Sequence, residues 1–142
     1  MPSFVSTVDL PASPEASWAF VVEHGGELEP LIFEPRGEQR VGTLNDLPGR
    51  INGIPIGAVS KTVEWDPPRR CAFESVKPSW PIRTRIVETF GSLVTGTRHT
   101  IHYEVTPRGL LGHLPAQLVC RLMRRSRRNY QELLRDALVR EA

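Results

Sequence analysis

The sequence has few of the features that mark specialised classes of protein. It contains two cysteines, Cys71 and Cys120, which lie far apart and in no Cys-x-x-Cys pattern, so no disulfide framework is predicted. No apolar run is long enough to span a bilayer, so stable membrane insertion is not expected. The N-terminal residues lack a basic stretch followed by an apolar one, which a secretory signal needs. The expected compartment is therefore the reducing cytoplasm.

Strong charge of one sign is also lacking. The net charge is +2, and the one local excess is a run of arginines within residues 121–128. No aromatic residue interleaves with these arginines, as a platform for stacking single-stranded bases requires. A solvated helix face is therefore predicted, and a nucleic-acid partner is not.

Clusters of metal-binding residues are absent as well. His99 and His102 are three residues apart on a predicted strand, so they point to opposite faces. His24 and His113 lie in predicted loops with no partner at a ligand spacing. The sequence also has no Gly-rich phosphate loop and no nucleophilic serine motif. Neither a metal nor another cofactor is predicted.

What the sequence does contain is the pattern of one α+β domain over residues 1–142. Alternating polarity predicts a first strand over residues 4–10, and Ser13-Pro14 then suits a helix start. A second short helix or turn is expected after Gly26. Because the links between the later strands are short, the sheet should be antiparallel. Those strands are predicted over residues 31–35, 40–51, 54–65, 71–76, 82–90 and 97–105.

Residues 114–142 form one long predicted amphipathic helix. Ser126 lies in the middle of its apolar stripe and either bonds back to a helix carbonyl or lines a polar cavity. The Tyr130 hydroxyl raises the same question, because it either reaches solvent or points into that cavity. The apolar stripe comprises Val119, Leu122, Met123, Tyr130, Leu133, Leu134 and Ala137. The opposite face comprises Arg121, Arg124, Arg125, Arg128, Glu132 and Arg135.

Three stretches resemble the START-related superfamily, also called SRPBCC. Leu10-Pro-Ala-Ser-Pro-Glu-Ala-Ser-Trp18 resembles its strand-to-helix signature. Trp65-Asp-Pro-Pro-Arg-Arg resembles the turn after a strand in its bacterial polyketide cyclase/dehydrase-like branch. Phe90 followed by Gly96-Thr97-Arg98 resembles the penultimate hairpin of that branch. Taken together in this order, the three stretches extend the resemblance over nearly the whole chain.

The resemblance implies a helix-grip fold, in which a curved seven-stranded antiparallel sheet wraps around the C-terminal helix. Two short helices would follow the first strand. It also implies a deep cavity for a hydrophobic or aromatic small molecule. Members of the superfamily include aromatic polyketide cyclases and lipid carriers. None of the three stretches is a catalytic signature, so no catalytic residue is implied by the resemblance.

The last two strands carry the candidate chemistry. If Phe90 lies opposite Thr97, the same register sets Glu88 opposite His99 on the inner face. Such a pair could act as an acid/base dyad, in which the carboxylate orients the imidazole and the imidazole moves protons. The alternative is a partly wet, structural pair near the hairpin end. The same register pairs Ile86 with Ile101 and Thr84 with Tyr103, and the Tyr103 hydroxyl could hydrogen-bond an enolate oxygen.

The ligand is expected to contact side chains from the last two strands, the helix and one loop. Trp80, between two prolines, is the candidate gate. It shares one end of the barrel with other apolar loop residues, which form a ligand gate, a membrane-touching tip or a dimer contact. The predicted ligand-binding residues are Trp80, Thr84, Ile86, Ile101, Leu122, Ser126 and Tyr130. The other apolar residues of these loops are Ile51, Ile54, Leu110, Leu111 and Leu114.

Three functions fit this sequence. The favoured one is binding of a hydrophobic or aromatic small molecule by a polyketide cyclase or dehydratase of secondary metabolism, with Glu88, His99 and Tyr103 as its catalytic residues. The second is a non-catalytic carrier of a hydrophobic ligand or lipid. The third is a protein-interaction module with a filled core. A homodimer is among the expected partners. The residues that would fill such a core are Phe20, Phe73, Phe90 and Met123.

Overall fold

A computed structural model describes residues 2–24, 39–51, 54–77 and 81–141. A short 3-10 turn, Leu110–Gly112, precedes the last helix. In chain order the elements are β1 (Ser3–Leu10), α1 (Pro14–His24), β2 (Leu44–Ile51), β3 (Ile54–Asp66), β4 (Arg70–Lys77), β5 (Ile82–Leu93), β6 (Gly96–Pro107) and α2 (His113–Glu141).

The six strands form one antiparallel sheet in the order β1-β6-β5-β4-β3-β2. Helix α2 packs against β1 and β6, and α1 packs against β5 and β6. This arrangement confirms the predicted α+β helix-grip fold. The sheet has six strands rather than seven within the described ranges, because the strand predicted over residues 31–35 lies outside them. The predicted second short helix lies outside them too.

Strand β2 begins later than predicted. The prediction began at Arg40, but Thr43 donates its backbone N–H to the Arg40 carbonyl at 3.1 Å, and Gly42 has a φ of 96°. These contacts make a turn and delay the strand to Leu44. Pro48 does not interrupt β2, because this strand lies at the sheet edge, where a missing N–H is tolerated.

The hairpin between β5 and β6 is tighter than predicted. Leu93 pairs with Gly96, so only Val94 and Thr95 form the turn. Gly96 has a φ of 157°, and a Cβ at this position would lie 2.1 Å from the Leu10 carbonyl oxygen. Glycine is required here because the end of β1 approaches the backbone closely.

The tight turn shifts the predicted register by two residues. Phe90 pairs with His99 rather than with Thr97, and Glu88 pairs with Ile101 rather than with His99. A shift of two residues keeps every side chain on its predicted face, because side chains alternate with a period of two. Glu88 and His99 are therefore diagonal neighbours on the inner face. The other corrected pairs are Ile86 with Tyr103 and Thr84 with Val105.

The core lies between the inner face of the sheet and the two helices. The arginines predicted to face solvent are exposed, but Leu122 is 45% exposed, so its predicted place on the buried stripe is wrong. The buried stripe is rotated away from Leu122 and includes Arg127 and Gln131 instead. No described helix is long and apolar enough to cross a bilayer. The apolar side chains that α2 buries are Ala116, Cys120, Tyr130, Leu134, Ala137 and Leu138.

Candidate functional site

Glu88 and His99 form a buried pair on the inner face of β5 and β6. Their exposed fractions are 2% and 0%, so the pair is not the partly wet one of the alternative interpretation. His99 Nε2 lies 3.6 Å from Glu88 Oε1. This distance is longer than a good hydrogen bond. Glu88 Oε1 has no hydrogen-bond partner among the described residues.

Gln131, on α2, determines which nitrogen of His99 carries the proton. Gln131 Nε2 donates to the Ser6 carbonyl at 3.0 Å and lies 3.1 Å from His99 Nδ1. The Ser6 hydroxyl donates to Gln131 Oε1 at 2.5 Å. The opposite amide orientation would place Oε1 against the carbonyl oxygens of Ser6 and His99, so the orientation is fixed. His99 Nδ1 therefore accepts, and the neutral ring carries its proton on Nε2, which faces Glu88.

Cys71, on β4, contacts the other oxygen of the carboxylate. It pairs with Glu88 across the sheet, and its thiol donates to Glu88 Oε2 at 3.6 Å. Both residues line a cavity of about 20 Å³, which has room for one water molecule. Trp18, Val21 and Val22 of α1 form the opposite wall of this cavity. The carboxylate thus faces α1.

Aromatic side chains enclose the pair. The His99 ring lies 4.8 Å from Phe90 and 6.4 Å from Tyr130, measured between ring centroids. Trp18 contacts Phe90 at 5.2 Å and Trp65 at 4.9 Å. These rings exclude water and lower the local dielectric, which strengthens electrostatic interactions inside the site.

Tyr103 lies on the inner face of β6 but away from His99. It is four residues from His99 along β6, which corresponds to about 13 Å between Cα atoms at strand rise. Its ring stacks on Phe4 with centroids 5.3 Å apart. Burial raises the pKa of Tyr103, while the charge of Arg127 and a hydrogen bond from Thr84 act in the opposite direction. Because Glu88 pairs with Ile101, it lies between His99 and Tyr103 and is a diagonal neighbour of both.

Ser126 faces the interior without the helix hydrogen bond that one interpretation required. It is 5% exposed, and its hydroxyl has no hydrogen-bond partner within the described ranges. The Ser60 hydroxyl on β3 is buried in the same way. Buried hydroxyls are normally satisfied by protein or by water, so these two mark interior positions suited to a polar contact.

The remaining predicted residues are divided between the core and other regions. Ile86 and Ile101 are buried in the core, and Tyr130 is fully buried beside His99. Leu122 is exposed on α2, and Trp80 lies outside the described residues. No group of three His, Cys, Asp or Glu side chains that could hold a metal ion occurs in the described parts of the chain.

Three residues of the site were missed by sequence reasoning. Gln131 and Arg127 are polar residues that α2 buries, and Cys71 lies on the inner face of β4. The period of two in residues 71–76 does place Cys71 and Phe73 on one face, which could have identified Cys71 as an inner residue. No comparable signal distinguishes Gln131, because helix periodicity is read from apolar residues.

Solved structures share the fold, although no family model and no curated protein matches the chain. TTHA0849 from Thermus thermophilus aligns with a TM-score of 0.72 and 19% identity over 99% of both chains. The di-domain ARO/CYC protein StfQ from the steffimycin biosynthetic pathway aligns with a TM-score of 0.74 and 12% identity, over 95% of this chain and 49% of StfQ. Ara h 8.0201 aligns with a TM-score of 0.68 and 11% identity, over 96% of this chain and 97% of Ara h 8.0201.

These identities are low, so the comparisons bear on the fold and not on the activity. They agree with the element order, the antiparallel sheet and the long C-terminal helix described above. The chain shares the fold of these solved structures, and this is the helix-grip fold that the resemblance noted in the sequence implied.

Proposed function

We propose that this protein binds a hydrophobic or aromatic small molecule on the inner face of the sheet, at the Glu88 cavity that α1 closes, and acts on it by proton transfer. The observation that carries the proposal is the buried Glu88–His99 pair, with Glu88 Oε1 lacking a hydrogen-bond partner among the described residues. Ser126 and Ser60 supply further polar points on the inner surface.

The pair is costly for the fold alone. Taking a carboxylate out of water costs several kcal/mol unless its lone pairs are satisfied, and apolar residues of similar size would fill this space at lower cost. Glu88 has one weak thiol donor at Oε2 and a long contact at Oε1. Buried ionisable groups of this kind cluster at functional sites, so their retention supports a chemical role.

The geometry assigns separate roles to the two side chains. The Glu88 carboxylate can remove a proton from a carbon next to a carbonyl, and the C–H electron pair then forms an enolate. His99 Nε2–H can hydrogen-bond the enolate oxygen. In a dehydration, the carboxylic acid of Glu88 returns the proton to a departing β-hydroxyl, which leaves as water. Tyr103, the other diagonal neighbour of Glu88 on β6, is a second candidate donor to the enolate oxygen.

A cyclase or dehydratase of secondary metabolism is the specific form of this proposal. Proton transfer beside a carbonyl is the chemistry that polyketide cyclisation and dehydration need. The fold is shared with two di-domain ARO/CYC proteins, StfQ from the steffimycin pathway and BexL from the BE-7585A pathway. These likenesses are consistent with the proposed chemistry, and Glu88 and His99 are what support it in this chain.

A surrogate substrate tests the proton transfer. 5-Nitrobenzisoxazole loses its C3 proton to a base, its N–O bond breaks, and a coloured nitrophenolate with a nitrile group forms. We expect the wild-type protein to accelerate this reaction and Glu88→Gln to lower the rate by about 100-fold, the usual contribution of a general base. His99→Asn should lower it by a smaller factor, because its role is to stabilise charge.

The outer face of β6 offers a matched control. His102 and Glu104 form a half-exposed pair with Nε2 and Oε1 3.5 Å apart. His102→Asn and Glu104→Gln make the same chemical changes outside the core and should leave the rate unchanged. Equal rates in the wild-type protein and Glu88→Gln would contradict the proposed acid/base role.

A non-catalytic carrier is the second candidate, because the unpartnered Ser126 and Ser60 hydroxyls offer inner polar contacts that binding alone could use. A cavity of about 20 Å³ cannot hold an organic ligand, so a reacting molecule needs displacement of the α1 side chains that close it. A carrier would bind an aromatic probe such as 2-naphthol and show no rate difference between the wild-type protein and Glu88→Gln.

A further inference from the structure

Four exposed leucines lie together where α2 begins. Leu110 and Leu111 belong to the 3-10 turn, and Leu114 and Leu118 to the first turns of α2. Their exposed fractions are 92%, 73%, 79% and 58%. Single exposed apolar residues are ordinary, but a cluster marks an interaction surface. We call these four residues the leucine tip.

The backbone holds the leucine tip outward. Gly112 is buried, and a Cβ at this position would lie 2.4 Å from the Pro81 carbonyl oxygen and 3.1 Å from Pro107. Arg108 donates its backbone N–H to the same Pro81 carbonyl at 2.7 Å. Gly109 has a φ of 75°, which a glycine adopts without strain. The turn is therefore anchored to the end of the sheet, with Leu110 and Leu111 exposed.

Arginines continue the outward face of the helix behind the leucine tip. At 100° per residue, Leu114 and Leu118 share one stripe with Arg121 and Arg125, and all four are exposed. Arg121 lies about 4.5 Å and Arg125 about 10 Å beyond Leu118 along the helix axis. Residues 105–131 contain six arginines and no acidic residue, although the whole chain has a net charge of only +2. The rest of the chain is therefore net negative.

We propose that the leucine tip docks this protein on an anionic lipid bilayer. Leucines at the end of the helix would enter the boundary between headgroups and acyl chains, and Arg121 and Arg125 would meet the lipid phosphates. A second copy of the chain fits less well, because a two-fold contact would bring two basic stretches together. A nucleic acid fits less well because leucines offer neither stacking nor hydrogen bonds. The proposal involves neither the ligand nor Glu88 and His99, so it is independent of the proposed function.

Flotation with lipid vesicles tests the docking. One set contains phosphatidylcholine alone, and the other contains equal parts of phosphatidylcholine and phosphatidylglycerol. We expect binding to the anionic vesicles at least about tenfold tighter than to the neutral ones, since each arginine near the surface adds roughly fivefold. Equal binding to both sets, or no binding to either, would overturn the proposal.

Paired substitutions then test whether the leucine tip makes the contact with the vesicles. Leu111→Ser with Leu114→Ser should weaken binding to the anionic vesicles at least tenfold. Val41→Ser with Val94→Ser is the control, since these valines are 66% and 104% exposed in turns elsewhere, and it should bind as the wild type does. Both variants should melt at nearly the wild-type temperature, because exposed side chains contribute little to stability. This measurement checks that they are folded. Binding by the leucine variant that equals the wild type would contradict the proposal.

Charge reversal and two further binding measurements distinguish a lipid bilayer from a nucleic acid or a second copy of the chain at the leucine tip. Arg121→Glu with Arg125→Glu should abolish binding to the anionic vesicles, whereas Arg135→Glu with Arg140→Glu, on the same helix but far from the leucine tip, should reduce it much less. A wild-type protein that binds duplex DNA and no vesicle would point to a nucleic acid and overturn the proposal. A wild-type dimer that becomes monomeric on loss of the leucines, without vesicle binding, would also overturn it.

Discussion

Replacing Gln131 by methionine tests the buried network most sharply. Methionine has a similar length and shape, so the change removes hydrogen bonds while leaving the packing of α2 largely intact. It removes the amide that accepts from the Ser6 hydroxyl at 2.5 Å, donates to the Ser6 carbonyl at 3.0 Å and approaches His99 Nδ1 at 3.1 Å.

The expected loss of stability follows from these contacts. A typical hydrogen bond contributes about 0.5–1.5 kcal/mol, and a buried group left without its partner costs about 1–3 kcal/mol. His99 is fully buried, whereas Ser6 is half-buried and can reach water. The free energy of unfolding should therefore fall by about 2–3 kcal/mol in Gln131→Met. Gln117→Met, at an exposed position on the same helix, should change it by less than about 0.5 kcal/mol.

Urea denaturation measures the two stabilities, and nitrogen NMR of the imidazole rings reads the tautomer directly. In the wild-type protein the neutral His99 ring should carry its proton on Nε2, and Gln131→Met should lose this preference. A wild-type ring protonated on Nδ1, or equal stability losses in Gln131→Met and Gln117→Met, would refute the assignment of Gln131 as the residue that orients His99.

The remaining predictions concern the core, the pH dependence and the hairpin. Leu134→Ala should lower the free energy of unfolding by about 2–5 kcal/mol, because Leu134 is fully buried, whereas Leu122→Ala should cost less than about 1 kcal/mol; equal losses would contradict the rotated helix face. Burial raises the pKa of Tyr103, so the stability that its neutral form contributes is intact below about pH 10 and is lost above it. In denaturation curves from about pH 9 to 11, the free energy of unfolding should therefore fall less steeply in Tyr103→Phe than in the wild-type protein. Identical slopes would refute this. Gly96→Ala should lower the melting temperature strongly, because its Cβ would lie 2.1 Å from the Leu10 carbonyl oxygen, whereas Gly91→Ala should be tolerated, with its nearest contact at 3.7 Å.

The face of each strand was predictable from the sequence, but the register was not. Glu88 and His99 share the inner face because side chains alternate along β5 and β6, and this holds for any even shift. The register depends on the turn, and Val94-Thr95 carries none of the Asn-Gly or Asp-Gly signals that identify a two-residue hairpin. The pair is consequently diagonal rather than directly opposed.

The helix shows the limit of hydrophobic periodicity. Leu122 was placed on the buried stripe because it is apolar, whereas the structure buries Arg127 and Gln131 and leaves Leu122 half exposed. A polar residue can be buried when the facing strands supply partners, as Ser6 and His99 do for Gln131. Those partners come from β1 and β6, far away in sequence, so the pattern within the helix could not indicate them.

The central claim is that an aromatic small molecule binds on the inner face of the sheet beside Glu88, and native mass spectrometry with 2-naphthol tests it most directly. The account predicts a 16.0 kDa ion that carries one 2-naphthol, and loss of this complex when Val22→Trp fills the cavity beside Glu88. Val94→Trp, at an exposed position in the hairpin turn, should keep it. A wild-type ion without 2-naphthol at every concentration, or equal binding by Val22→Trp, would contradict the account.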